Sequence, residues 1–139
     1  MDEPPVWEGE AIGPFVKLRG DRIFLMDFGV APTDAQLDAH CEAMKLWSEA
    51  NLRALGGVVY LRRLLTGTAK QRQQLAELEK DLEAHDAKHV KACGIVAPNA
   101  ITRGFVTAVF WLKPPVYPYR LFKTFEKALA WVEDEMRTV

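Results

Sequence analysis

Two threonines, two arginines and an asparagine carry most of the chemistry this sequence could do. Thr66, Thr68 and Arg72 lie in LLTGTAKQR, and Asn99 and Arg103 lie in APNAITRG. Each group follows an apolar run and precedes a helical pattern, so it falls where a helix N-terminus leaves backbone N–H groups without partners. Such a terminus beside a guanidinium suits a phosphate or a carboxylate. Lys123 and Thr124 occupy the equivalent place before the last helical pattern. The competing reading is structural. Thr68, Asn99 and Thr124 are good N-caps, each worth about 1 kcal/mol, with the arginines solvated.

Other reactive side chains form weaker patterns. His85 and His89 are spaced to share one helix face, but zinc needs a third ligand and no HExxH is present. Histidines near a helix C-terminus also simply favour its dipole. Cys41 and Cys93 have no CxxC spacing, and His40 cannot serve Cys41 because adjacent helical positions do not face each other. GxSxG, GxxxxGK[ST] and GxGxxG are all absent. The expectation is a protein that is not an enzyme, with no catalytic residues, no metal and no cofactor.

The elements that position these residues follow from pattern. Residues 15–19 and 22–28 read as two strands around a Gly20-Asp21 turn, an antiparallel hairpin. Thr33 and Gln36 form a capping box, and Leu37, Cys41, Met44 and Trp47 line one face of the helix that follows. Gly56-Gly57 is expected to end that helix. Val58–Leu61 is a buried strand, 69–90 a polar helix with a narrow stripe at Leu75, Leu78 and Leu82, and 92–97 a second buried strand. A very apolar helix runs from about 101 to Pro114-Pro115. A strand over 116–123 follows, placed near an edge by Pro118. Thr124 opens a last helix with Ala128, Leu129, Trp131, Val132 and Met136 inward.

This order predicts an α/β fold: a mixed, mostly parallel sheet of about five strands with an N-terminal hairpin and about four helices on its faces. Residues 1–10, acidic and proline-bearing, read as a flexible arm, and 11–139 as a single domain.

The apolar helix poses its own question. Phe105, Val106, Val109, Phe110, Trp111 and Leu112 wrap almost all the way round it, so one sheet face cannot cover them all. A neighbouring helix, a second subunit in a homodimer, or a hydrophobic ligand must cover the rest. Leaving two or three such side chains in water would forgo roughly 1.5–3 kcal/mol each.

Composition narrows the class. The chain has 139 residues, 49% hydrophobic and 27% charged, as in a globular domain. A net charge of −1 gives no global field for nucleic acid or an anionic membrane. The unpaired cysteines and the acidic start point to a reducing, cytoplasmic setting. The apolar run 108–112, which no other run exceeds, is far below the ~20 residues that span a bilayer, so no stable membrane insertion is expected.

Certain stretches resemble a known family. The opening hairpin, GGVVYLRRL, the segment GIVAPNAITRGFVTAVFWLKPPVYPYRLF and the close YRLFKTFEKALAWVEDE are similar to the SpoIIAA-like family, the STAS/Sec14-type small bacterial domains. The resemblance covers residues 12–137. It implies a regulatory or protein–protein interaction module with a protein partner. Family members that antagonise anti-sigma factors carry a phosphorylatable Ser or Thr in this region, which makes Thr66 or Thr68 the implied phospho-acceptor. The flanking Asp of that motif is missing here. Lipid-binding Sec14 relatives imply the alternative, a carrier of a small hydrophobic ligand between the apolar helix and the sheet. A weaker alternative is an unrecognised enzyme at the Thr68/Arg103 rim.

Overall fold

A computed structural model of the chain describes residues 9–27, 32–61, 68–112 and 114–138, except the side chains of Phe105, Val109 and Leu112. Among the described residues, six strands form one sheet: β1 (Glu10–Gly13), β2 (Val16–Arg19), β3 (Ile23–Asp27), β4 (Leu55–Tyr60), β5 (Val90–Val96) and β6 (Tyr119–Phe122). They lie side by side in the order of the chain. β1 to β3 are an antiparallel meander, and β3 to β6 run parallel. The connections are α1 (Asp34–Ala50), α2 (Ala69–His89) and α3 (Ala100–Leu112), and α4 (Phe125–Arg137) closes the chain.

The core has two layers because strand side chains alternate. Ile23 and Leu25 face α4, where they join Val58, Tyr60 and Val96 against Ala128, Leu129, Val132 and Met136. Phe24 and Met26 face the other way and pack with Val16 against Cys41, Met44, Leu78 and Leu82 of α1 and α2. The predicted capping box at Thr33 is present, and so is a second at Thr68 with Gln71.

Three expectations need correction. The sheet has six strands rather than about five, the added one being β1, which begins at Glu10. Its EAIG sequence has no apolar alternation, and its place comes from pairing with β2. Gly56 and Gly57 do not end α1, which stops at Ala50 with Asn51 as its C-cap; they lie inside β4. A Cβ on Gly57 would fall 2.1 Å from the ring of Phe24, its partner across the ladder, and one on Gly56 would fall 2.6 Å from Val132 of α4. Glycine is there for close approach, a use that resembles a helix stop in sequence. Finally, β6 begins at Tyr119 rather than at 116, because the prolines before it withhold ladder donors.

Candidate functional site

Parallel strands place the N-termini of all four helices at the carboxyl end of the sheet, as expected for a ligand rim. The polar groups there hold the fold. Thr68 Oγ1 accepts from Gln71 N at 3.1 Å, and Gln71 Oε1 accepts from Thr68 N at 3.1 Å. Asn99 Oδ1 accepts from Thr102 N at 2.8 Å, and Thr124 Oγ1 accepts from Lys127 N at 3.3 Å. Arg103 is half-buried and turns its guanidinium back to Ala97 O at 3.2 Å. Arg72 is exposed in the first turn of α2. Thr66 lies outside the described residues, as does the rest of 62–67.

Sequence reasoning missed Gln71. It is buried, and its Nε2 donates to Pro32 O at 2.9 Å and to Asp34 Oδ1 at 3.0 Å. The chain's own carboxylate therefore stands beside the N-terminus of α2, where an incoming anion would meet its repulsion. Gln74 donates to Asp38 Oδ1 at 2.6 Å, Lys45 pairs with Asp81 at 3.2 Å, and His85 Nε2 meets Asn51 O at 2.9 Å. These contacts advance together along α1 and α2 and tie the two helices side by side. The helical spacing of the polar residues on α2 was visible in sequence; their partners were not.

The histidine and cysteine chemistry is also committed. His85 bonds Asp86 Oδ1 through Nδ1 at 3.0 Å as well as Asn51 O through Nε2, so both ring nitrogens are engaged. Its ring lies 4.8 Å from that of His89. Burial raises the pKa of Asp86, and the bond to His85 opposes that shift. Burial pushes the Cys93 thiol up to about 12, with the negative charges of Glu79 and Asp86 adding to the effect. The Tyr117 hydroxyl donates to Cys93, and burial raises the tyrosine's pKa too. Cys93 is thus a protonated, packed thiol at neutral pH and a poor nucleophile. Cys41 is buried and raised for the same reason. An open groove of about 330 Å³ lies between α1 and α2, bordered by Lys45, Glu49, Asp81 and His85 as well as Leu52 and Leu82. It is a different place from the pocket expected under α3.

On α3, one side packs and one does not. Val106 and Thr102 are buried, and Phe110 is half-buried with its ring edge-on to Tyr119 at 4.7 Å. The opposite arc carries Ala100, Ile101, Gly104, Thr107, Ala108 and Trp111, all exposed. Ile101 is 74% exposed and Trp111 88%. None of the six is charged. Around Gly104 there is open space where a side chain would be. Thr107 spends its hydroxyl on Arg103 O at 2.9 Å. Among the described residues, packing within the chain therefore leaves this arc of α3 uncovered. Phe105, Val109 and Leu112, named with it from sequence, have side chains outside the described set.

No family model matches the chain, and no curated protein matches it. Among solved structures, it is similar to an uncharacterized protein from the DUF3478 family with a SpoIIAA-like fold, from Shewanella loihica PV-4. The two agree with a TM-score of 0.56 at 13% sequence identity, over 84% of this chain and 90% of that one. The chain has a SpoIIAA-like fold, as the sequence resemblance implied. At this identity the likeness concerns architecture and transfers no activity.

Proposed function

We propose that this protein is a non-enzymatic docking module whose contact surface is the uncharged outer arc of α3. One observation carries the reading: every exposed residue of α3 is uncharged, and the two largest of them, Ile101 and Trp111, are nearly bare. An apolar helix face left in water costs free energy that a partner recovers. Trp is among the residues that most often anchor an interface. The rim at the carboxyl end supports the same view indirectly, since Thr68, Asn99 and Arg103 are used as caps and braces rather than presented to a ligand.

Photo-crosslinking tests this in the cells that make the protein. A benzophenone amino acid replaces Ile101 or Trp111 in turn, and exposed Leu46 on α1 serves as control. Discrete adducts from 101 and 111, absent from 46, are expected. Equal or absent adducts at all three positions would refute α3 as the docking surface.

A further inference from the structure

We propose that His85 and Asp86 hold one shared proton that latches the C-terminal end of α1 onto α2, and that the latch is released when this proton leaves. The inference comes from counting hydrogen-bond donors. His85 Nε2 lies 2.9 Å from Asn51 O, and His85 Nδ1 lies 3.0 Å from Asp86 Oδ1. A backbone carbonyl only accepts, and so does an ionised carboxylate. A neutral imidazole has a single N–H to give. Neutral His85 beside ionised Asp86 would therefore set one lone pair against another, whichever tautomer the ring takes. Both bonds form only when the pair carries one proton more, as imidazolium with carboxylate or as neutral imidazole with carboxylic acid.

The surroundings hold this arrangement in place. The two side chains are only 13% and 21% exposed, so water cannot readily replace either partner. The Asn51 carbonyl is fixed by its own residue. Asn51 N–H donates to Ser48 O at 3.3 Å, and its Nδ2 donates to Trp47 O at 2.8 Å. Its Oδ1 accepts from Arg53 Nη2 at 2.9 Å, and Arg53 Nη1 reaches Asp21 O at 3.2 Å. His85 thus joins α2 to a network that runs through the end of α1 to the turn between β2 and β3. It also borders the groove between α1 and α2, so the same proton fixes one wall of that groove.

Charges on every side bear on the proton. Across the groove stand Lys45 and Asp81, paired with each other at 3.2 Å, and Glu49, whose negative charge favours it. On α2, the His89 ring 4.8 Å away and Lys88 oppose a second positive charge. Lys91 of β5 turns its ammonium to Lys88 O at 2.8 Å. Behind Asp86 lie Cys93 and Tyr117, both protonated at neutral pH, and the carboxylate of Glu79 acts on the same two groups. Burial of Asp86 favours a proton on the pair.

The sign of the pH dependence follows. In the unfolded chain the imidazole loses its proton near pH 6.5. Above that pH, a folded chain with both bonds intact holds one proton more than the unfolded chain, so its stability falls as the pH rises. Asp86→Asn removes the dependence without removing the bonds. The carboxamide N–H can donate to Nδ1 of a neutral ring, leaving the Nε2 proton for Asn51 O.

Three measurements test the latch. In urea, the unfolding constant of wild type should rise between about pH 7 and about pH 8 by up to about tenfold more than that of Asp86→Asn. Over the same interval, amide exchange in the last turn of α1, corrected for intrinsic base catalysis, should accelerate in wild type and not in Asp86→Asn. NMR shifts of the His85 ring nitrogens and the Asp86 carboxyl carbon in wild type read the proton directly and do not depend on how well the variant folds. One proton on the pair beyond neutral ring and carboxylate is expected at neutral pH. A neutral ring beside an ionised Asp86 overturns the proposal, and so does equal pH dependence of stability or of exchange in the two proteins.

Discussion

His40 should limit the stability of this protein in mild acid. It lies on α1 at 1% exposure, with the Phe15 ring 5.7 Å away, and burial lowers its pKa from 6.5 to about 4. In the unfolded chain the imidazole takes up its proton near pH 6.5. In the folded chain it does so only near pH 4. Between those values the unfolded state holds one proton more, so each unit of acidification favours unfolding by about 1.4 kcal/mol. The contribution is fully present above pH 6.5 and is lost as the pH falls through 4, about 3 kcal/mol in all. That is a large part of the 5–15 kcal/mol that holds a typical domain together.

The assay is urea unfolding of wild type and His40→Gln at about pH 7 and about pH 5. Wild type is expected to lose roughly 2 kcal/mol more than the variant over that interval. Comparing the two proteins cancels every group they share, Asp86 included. NMR titration of the ring proton in wild type reads the pKa directly and does not depend on how well the variant folds. A His40 pKa above about 6, or equal losses in the two proteins, would refute the reasoning.

Other expectations are more local. Gly57→Ala forces a methyl into the Phe24 ring and should cost about 1–3 kcal/mol. Combining it with Phe24→Leu should cost less than the sum of the single changes, and strict additivity in denaturant midpoints counts against the close contact. Cys41 and Cys93 should react with an aromatic disulfide reagent at pH 8 only after denaturation, because both are buried with raised pKa values. Fast native labelling of Cys93 would show that its packing is wrong. Thr68→Ala should lose about 1 kcal/mol through the cap of α2 and leave crosslinking from α3 unchanged. A loss of those adducts in a folded Thr68→Ala protein would bring the rim back as a site.

Local rules carried much of the fold. The capping box at Thr33 is written in adjacent residues, and the alternation in IFLM needs only the period of a strand, so both could be read before any contact was known. The last helix, with Ala128, Leu129, Val132 and Met136 at helical spacing, declared its buried face in the same way. The apolar character of α3 was equally plain. What covered it was not, because a hydrophobic pattern states a demand for burial without naming the surface that meets it. Only the tertiary arrangement sorted Val106 into the core and left Ile101 and Trp111 in water. The same limit applies to Gly56 and Gly57, whose missing side chains matter through Val132 and Phe24, residues distant in the chain. Gln71 is another such case, since its partners Pro32 and Asp34 lie on the preceding connection and helix.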